Sequence, residues 1–372
     1  MKTVCEANMC SGCMLCQEIC PKNAIKVYDN IEYFNSIIDE AKCIECNICH
    51  NLCPVNNCEQ KKEPIQYFQG WSLDEKVRLL SSSGGGATEL IYSFLKKGGI
   101  VFGCTFENGI FGFKFVDSPE KAKVFQGSKY VKSNPFNIYI EIREKLKHGD
   151  KILFIGLPCQ VSALKNFVGS NLGKHLYTID LICHGTPSTK LLDEFLSQYN
   201  VSLKNLDKLE FRKNNRFKIV GDKKQIGLKG VADTYILAFL EGVIYTENCY
   251  NCKYADIKRV SDITLGDSWG TNLSLEEQKK GISLILCQTE KGYNLLKNSN
   301  LFLTNVDLDN AVIYNRQLMH PSEIHKNRVL FFEKIRAGKK FNNTIFRCIP
   351  FLYLKQIIKY ILIRFKVIKG DN

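Results

Sequence analysis

The sequence has 372 residues, of which 45% are hydrophobic and 24% charged, an ordinary composition for a globular protein. Its net charge of +13 would suit nucleic-acid binding, but residues 326–372 hold twelve Lys/Arg against two acids, which leaves a surplus of only three on residues 1–325. This distribution argues against a main body that binds nucleic acid. Seventeen cysteines, with no segment resembling a secretory signal, predict a reducing cytoplasm in which thiolates bind metal.

One cysteine pattern occurs twice in the first sixty residues. The pattern C-x2-C-x2-C-x3-C-P runs from residue 10 to 21 and again from 43 to 54, an offset of 33. In two-cluster bacterial ferredoxins with this spacing, the fourth Cys of each run ligates the other cluster, because it leaves the loop and points toward the neighbour. We therefore predict two 4Fe-4S clusters, one on Cys10, Cys13, Cys16 and Cys53 and the other on Cys20, Cys43, Cys46 and Cys49.

Other chemistries fit this run less well. Cys46 to His50 matches the haem attachment pattern, but both of its cysteines already belong to a complete cluster run. Paired zinc sites explain neither the Cys-Pro endings nor the duplication. Disulfides are disfavoured because they belong to oxidising compartments.

Around the cysteines, the pattern predicts a small module over residues 1–60. A hairpin is expected from residues 24–28 and 31–34, with a polar linker over 55–64. Cys5 and Cys58 lie outside the runs and are interpreted as spare thiols.

A larger domain is predicted over residues 65–310. Ser82, Ser83, Gly84 and Gly85 precede a helical stretch at 89–97, so bare backbone amides could cradle a phosphate or a flavin edge. The alternative is a plain helix cap after a flexible turn. Residues 126–133, which include Gly127, Ser128 and Lys129, form either a solvated loop or a cofactor-anion site.

Two apolar strands, at 151–155 and 177–182, are each followed by a cysteine and a helix. Strand-helix-strand order predicts a mostly parallel or mixed sheet, and ligands of such sheets sit beyond the carboxyl ends of the strands. Cys159 and Cys183 occupy those ends. With the C-x2-C pair of Cys249 and Cys252 they make four thiols, the number that a third cluster needs.

The fold class predicted is therefore an α+β ferredoxin-like module, then an α/β domain, then a helical basic tail over residues 311–372. Lys355, Lys359 and Lys366 are expected on one face of a basic amphipathic helix suited to an anionic membrane surface. Packing of this helix on its own domain or on a partner is the open alternative.

Six motifs in this order resemble the coenzyme F420 hydrogenase/dehydrogenase beta-subunit family. They are Ser83-Gly84-Gly85, Gly127 to Tyr130, Gly156-x-Pro-Cys159-Gln160, Cys183-His184-Gly185-x-Pro187-Ser188, Cys249-x2-Cys252 and Gly266-Asp267-x-Trp269. The resemblance covers about residues 1–300. The family includes bacterial relatives encoded among polysaccharide-synthesis genes.

The resemblance implies an iron–sulfur flavoprotein oxidoreductase. Electrons would pass from a redox donor, such as a ferredoxin or a reductase subunit, through the ferredoxin-type clusters and a third cluster to FAD or FMN. From there they would reach a small-molecule or glycan-precursor substrate. Cys159, Cys183, Cys249 and Cys252 would hold the third cluster, and the loops at 82–85 and 127–129 would line the flavin. Lys129 is the candidate cation beside the flavin, and His184 the candidate proton donor.

Other functions stay open at this stage. The chain could be an electron-transfer subunit without a substrate of its own, an oxidoreductase that uses coenzyme F420, or a membrane-surface scaffold. The expected location is the cytoplasm, including the inner face of the membrane.

Overall fold

The computed structural model describes residues 2–213 and 216–368. The helices are α1 (Leu15–Glu18), α2 (Ile48–Leu52), α3 (Glu75–Leu80), α4 (Gly86–Lys96), α5 (Tyr139–Lys147), α6 (Pro158–Leu172), α7 (Thr189–Ser197), α8 (Thr234–Leu240), α9 (Leu275–Lys280), α10 (Glu290–Lys297), α11 (Leu308–Tyr314), α12 (Arg328–Arg336), α13 (Phe341–Cys348) and α14 (Pro350–Arg364). The strands are β1 (Ile25–Asp29), β2 (Phe34–Ile38), β3 (Gln66–Ser72), β4 (Ile100–Glu107), β5 (Ile110–Val116), β6 (Ile152–Gly156), β7 (Leu176–Leu181), β8 (Leu209–Lys213), β9 (Arg216–Gly221), β10 (Lys224–Gln225), β11 (Ile263–Asp267), β12 (Ser283–Cys287) and β13 (Leu301–Asn305).

The N-terminal module contains the expected hairpin, formed by antiparallel pairing of β1 and β2. The predicted position of its second strand, residues 31–34, is wrong. Ile31 has a φ of +68°, and its amide donates to the Asp29 carboxylate at 2.7 Å. This local hydrogen bond holds the chain in a turn, so β2 starts only at Phe34.

The large domain is built on a mixed sheet of order β13-β3-β12-β11-β7-β6-β4-β5. Its central strands β4, β6, β7 and β11 are parallel, and antiparallel strands flank them. The prediction of an α/β domain with a mostly parallel or mixed sheet is confirmed in its mixed form. The carboxyl ends of the parallel strands lie at one edge, which brings the residues after β6, β7 and β11 together.

Helices cover both faces of this sheet, because side chains alternate along each strand. Leu153 of β6 packs with Leu90 of α4 on one face. Its neighbour Phe154 packs with Ile142 of α5 and Val161 of α6 on the other. Burying each such side chain is worth about 1.5–3 kcal/mol. The sheet edge that carries the cysteines is thus held between two packed layers.

A third layer of helices lies beside the small sheet of β8, β9 and β10. Phe331 of α12 and Phe341 of α13 are buried in one core with Phe195 of α7 and Tyr235 of α8. The first helices of residues 311–372 therefore contribute to the core of the large domain.

The last helix, α14, is different, since none of its residues is buried. It carries Lys355 and Lys359, but the placement of Lys366 on the same helical face is wrong. The helix ends at Arg364, and Lys366 lies beyond it with a φ of +59°. Among residues 2–213 and 216–368, no helix is long and apolar enough to cross a membrane.

Candidate iron–sulfur and cofactor sites

The two cysteine runs share a backbone conformation as well as a spacing. Gly12 and Glu45 have φ values of +67° and +54°, and Met14 and Asn47 have values of +64° and +57°. Each pair is separated by the 33-residue offset of the runs. Left-handed residues at these points let the chain reverse tightly, so that successive thiols can face a common centre. The duplication is therefore structural, and each loop is shaped for the same kind of ligand.

Backbone amides point at the sulfur atoms in both loops. The Gly12 amide donates to Cys10 Sγ at 3.4 Å, and the Glu45 amide donates to Cys43 Sγ at 3.4 Å. Each loop thus turns an amide donor toward a sulfur atom that is predicted to bind a cluster, and hydrogen bonds to cluster sulfurs influence the potential of the cluster.

The first cysteine set lies inside the module. Cys10, Cys13, Cys16 and Cys53 are all buried. Cys5, interpreted from sequence as a spare thiol, is buried beside them, and its donation to Cys53 lowers the pKa of that cysteine to about 6. Cys5 is thus in contact with this set rather than isolated from it.

The second set lies near the surface. Cys20, Cys43, Cys46 and Cys49 line one cavity of about 90 Å³. Cys46 is exposed, and the neighbouring Ile44 and Ile48 are 56% and 42% exposed. This is the side of the module that a redox partner could reach.

The other four predicted ligands line a single cavity of about 490 Å³ at the sheet edge. Cys159 lies in the first turn of α6, Cys183 follows β7, and Cys249 and Cys252 flank a short turn after α8. Burial raises the pKa of Cys159 to about 12. A thiol in this environment stays protonated unless a cation binds it.

Two polar groups of the same cavity point to a bound group. Ser11 is 5% exposed, and its hydroxyl oxygen has no hydrogen-bond partner within the described residues. Lys132 is also 5% exposed and donates to the Ser11 carbonyl at 3.0 Å. Burial lowers the pKa of Lys132, but the sulfurs of Cys249 and Cys159 outweigh it, so the net direction is upward. A buried hydroxyl and a buried cation both suit an anionic, sulfur-rich ligand.

An ion pair stiffens the wall of this cavity. Arg259 Nη2 lies 3.1 Å from Asp180 Oδ1, and their side chains are 2% and 0% exposed. The guanidinium also donates to the carbonyls of Tyr254 and Leu181. These bonds hold the segment after Cys252 against the end of β7.

A second cavity, of about 460 Å³, opens between the two loops whose residues are predicted to bind a cofactor. Ser82, Ser83 and Gly85 line one side, and Gly127, Ser128 and Lys129 line the other. The Ser128 amide donates to Ser82 Oγ at 2.9 Å, so the two loops are joined. Gly84 lies behind them against β3, where a Cβ atom would be 2.4 Å from the Gly70 carbonyl oxygen.

Lys129 lines this cavity beside Gly127 and Ser128. Its ammonium group donates to the carbonyls of Phe125 and Gln126 at 2.9 and 3.1 Å, and burial lowers its pKa. Among the described residues no carboxylate pairs with it. Within the described residues, Lys129 therefore has hydrogen-bond acceptors but no negatively charged partner.

His184 lines both cavities, as do Leu157, Cys183, Gly185 and Thr186. His184 is exposed to solvent through these cavities, and the partial desolvation of its ring by their walls lowers its pKa. The two cavities therefore lie side by side and are separated by these five residues.

Sequence reasoning missed Arg212, which lines the second cavity together with Asp267 and Trp269. Arg212 of β8 pairs with Asp267 at 2.6 Å, and its guanidinium lies 5.7 Å from the Trp269 ring. Asp267 and Trp269 appear in a motif, but nothing in the local pattern around Arg212 connects it to them. Their meeting depends on the packing of β8 beside the sheet.

None of the His, Cys, Asp and Glu side chains in residues 2–213 and 216–368 form a group of three that could hold a single metal ion. The second cysteine set and the set of Cys159, Cys183, Cys249 and Cys252 each line a cavity instead.

The comparisons with known proteins agree with this division of the chain. Residues 9–57 match the 4Fe-4S dicluster domain. Residues 149–306 match the family of the C-terminal part of the beta subunit of coenzyme F420 hydrogenase/dehydrogenase. No curated protein matches the chain. Among solved structures, a chain of the xenon-derivatised F420-reducing [NiFe] hydrogenase complex from Methanosarcina barkeri is similar, with a TM-score of 0.50 and 18% identity over 76% of this chain and 98% of that one. At this identity the likeness shows the fold.

The two family matches indicate an iron–sulfur protein of the electron-transfer class, with a role of the oxidoreductase type. The chain carries a 4Fe-4S dicluster domain followed by the C-terminal domain of coenzyme F420 hydrogenase/dehydrogenase beta subunits. The family resemblance inferred from the six motifs is confirmed.

Proposed function

We propose that the protein is an iron–sulfur flavoprotein oxidoreductase that carries electrons between its dicluster module and a substrate bound beside a flavin. One observation carries the proposal. A cavity lined by four cysteines shares its wall with a second cavity that is enclosed by a Ser/Gly loop and a lysine.

The first of these cavities fits a third 4Fe-4S cluster. Its donor set is four thiols, the full complement of one cubane. The unpartnered hydroxyl of Ser11 and the charge of Lys132 supply the hydrogen-bond donor and the positive charge that such an anion needs. We assign Cys159, Cys183, Cys249 and Cys252 as its ligands.

The second cavity fits a flavin, FAD or FMN. The close approach of Gly84 to β3 and the left-handed Gly85, with φ +88°, leave backbone rather than side chains facing the ligand. α4 begins directly after this loop, and its first residues, Gly86, Ala87 and Thr88, line the cavity, so the positive end of the helix dipole lies beside it. We propose that Ser82, Ser83, Gly85, Gly127, Ser128 and Lys129 contact the flavin, and that Gly84, predicted from sequence as a cofactor-binding residue, supports their loop from behind. A bound flavin supplies the exchange of single electrons for electron pairs.

Three further features of the two cavities can act on bound groups: Lys129, His184 and the Arg212–Asp267 pair. Lys129 places a part-buried ammonium group where it can stabilise negative charge. His184 lies between the two cavities and can orient or pass a proton. The Arg212–Asp267 pair lines the second cavity. A substrate of the small-molecule or glycan-precursor class, a role in polysaccharide biosynthesis and a cytoplasmic location remain predictions from the resemblance and the cysteine content.

Partner contacts are proposed at two surfaces. The exposed Cys46 and its apolar surroundings are the entry point for electrons from a redox donor. α14 is proposed to contact an anionic membrane surface. It exposes a stripe spaced at three and four residues, with Phe351 at 87% and Ile358 at 57% exposure, while Lys355 and Lys359 lie beside it.

The test is an iron and flavin count on protein purified without oxygen. We expect about 12 irons per chain, four for each cubane, and one flavin. Cys183→Ala should lower the count by about four irons because it removes one of four ligands. Cys58→Ser, at an exposed cysteine outside all three sets, should leave both counts unchanged.

Other results would decide against the proposal. Iron without flavin would favour an electron-transfer subunit with no substrate of its own. Unchanged iron in the Cys183→Ala variant would refute that ligand assignment. Binding of coenzyme F420 in place of a flavin would favour the F420-dependent alternative.

A further inference from the structure

Lys132 occupies an unusual place for a lysine. It lies on the wall of the four-cysteine cavity, yet its ammonium group donates to the carbonyl of Ser11, in the first cysteine run. The same group lies 5.6 Å from the centre of the Phe34 ring. The backbone of Phe34 pairs with that of Cys10 in an isolated antiparallel β-bridge. Lys132 thus spans the boundary between the module and the large domain, at the point where two iron–sulfur sites approach each other.

The surroundings of Lys132 fix its position. Its own amide donates to the Pro187 carbonyl at 2.8 Å. Its side-chain carbon Cδ is 3.5 Å from where a Cβ of Gly12 would lie, so the chain passes close to the first cysteine loop. Within the described residues no carboxylate pairs with this ammonium group. A buried, unpaired cation is costly, and the charge that compensates it has to come from a group in the cavity.

The anions closest to this cation are the sulfur sites. A cubane with four thiolate ligands is negatively charged and becomes more so on reduction. A fixed cation nearby therefore stabilises the reduced form more than the oxidised form, and net charge and hydrogen bonds are the main determinants of cluster potential. Lys132 lines the cavity of the third set and only touches the loop of the first, so its effect should be larger on the third cluster.

We propose that Lys132 is a redox-tuning residue that raises the reduction potential of the third cluster, and to a smaller extent that of the first. The inference rests on the proposed third cluster. On this account, one electron from the redox donor would reach the third cluster through the module without proton uptake, because Lys132 would keep its charge in both states. The second cluster, whose cavity Lys132 does not line, should be unaffected. Raising the potential of the third cluster relative to the second would favour electron transfer from the module toward the flavin cavity.

The experiment is a potentiometric titration of the clusters, followed by electron paramagnetic resonance, on the full chain with its iron loaded. Lys132→Met should lower the equilibrium constant for reduction of the third cluster about tenfold, which is about 59 mV for one electron. The first cluster should shift less and the second not at all. Lys132→Arg, which keeps the charge, should restore most of the loss. Lys165→Met is the matched control, because Lys165 also donates to a backbone carbonyl, that of Val260, but lines none of the three cavities.

The outcomes separate this inference from the function on which it rests. A wild-type chain with only about eight irons would refute the third cluster, and with it the proposed function. Twelve irons with unchanged potentials in Lys132→Met would refute the tuning role alone. If Lys132→Met loses irons, the wild-type titration still decides, because a third-cluster potential that changes with pH between about 6.5 and 8.5 would show proton uptake and overturn the fixed-charge account.

Discussion

Gly84 shows how one residue can shape the flavin cavity without facing it. A Cβ atom there would lie 2.4 Å from the Gly70 carbonyl oxygen and 2.7 Å from the Ser283 amide, both backbone atoms that cannot rotate away. The Ser/Gly loop is therefore pressed directly onto β3 and β12. Any side chain at this position has to push the loop into the cavity.

We expect Gly84→Ala to lower flavin occupancy and to destabilise the fold by about 1–3 kcal/mol, the usual cost of overpacking. Flavin absorbance per chain and the urea midpoint would measure the two effects. Gly98→Ala is the control, since no atom lies within 4 Å of the Gly98 Cβ position, and its φ of +76° gives the variant a backbone cost of its own. It should cost about 1 kcal/mol and leave the flavin in place. Equal flavin loss in both variants would contradict the proposal that the close packing of Gly84 shapes the flavin cavity.

At the residue scale, sequence spacing predicted the candidate ligands that lie close together in the chain. It missed the residues that only the packing of distant segments brings to a site. The eight module cysteines follow a pattern within two short loops, so their repeat was visible. Lys132 stood out only as the second lysine of a polar segment, because neither Ser11 nor the cysteine cavity is near it in sequence. Ser11 gave no signal at all, since its buried hydroxyl is recognised only once the module is docked.

At the scale of elements, α14 is set apart by what it leaves uncovered. Its partly buried side contacts α13, where Tyr353 packs edge-on against Phe346. The opposite side exposes Phe351, Ile358 and, just past the helix, Phe365 at 77%. Sequence predicted the amphipathic pattern correctly but placed Lys366 on the helix, because periodicity does not show where a helix ends.

We expect wild-type protein to sediment with vesicles that contain phosphatidylglycerol and much less with pure phosphatidylcholine, since each nearby cation contributes about 1 kcal/mol at an anionic surface. Replacing Phe351 and Phe365 with Ser should reduce vesicle binding at least tenfold, because each inserted Phe is worth about 1.5–3 kcal/mol. Leu275→Ser, on α9 and 72% exposed, is the matched control. Binding that is independent of lipid charge, or of the two phenylalanines, would refute the membrane surface.

At the scale of the molecule, electron transfer requires the module to be held firmly against the large domain. Tyr139 donates to the Cys13 carbonyl at 2.7 Å, and Tyr254 donates to the Pro54 carbonyl at 2.7 Å. Each bond joins the large domain to a residue within or directly after a cysteine run. The cysteine sets are thus positioned relative to each other by hydrogen bonds that sequence patterns could not show.

Glu32 provides a third and more distant attachment. It lies in the turn between β1 and β2, and its carboxylate accepts from Arg328 at 2.6 Å and from Arg336 at 2.5 Å, both on α12. Arg328 is 3% exposed and keeps a second acid, Glu247, at 3.2 Å. The module is therefore clamped from the side by a helix that sequence patterns assign to the basic tail.

Glu32→Ala should weaken this attachment by about 2–3 kcal/mol, less than the cost of a fully isolated buried charge because Glu247 remains. Amide hydrogen exchange in β1 and β2 should become faster by one to two orders of magnitude (about 1.4 kcal/mol per factor of ten), while the core of β6 should stay protected. Glu63→Ala is the control, since its pair with Lys258 is more than half exposed on both sides and is worth at most about 1 kcal/mol. Unchanged exchange in the hairpin would mean that the tyrosine contacts suffice, and that α12 plays no part in holding the clusters in line.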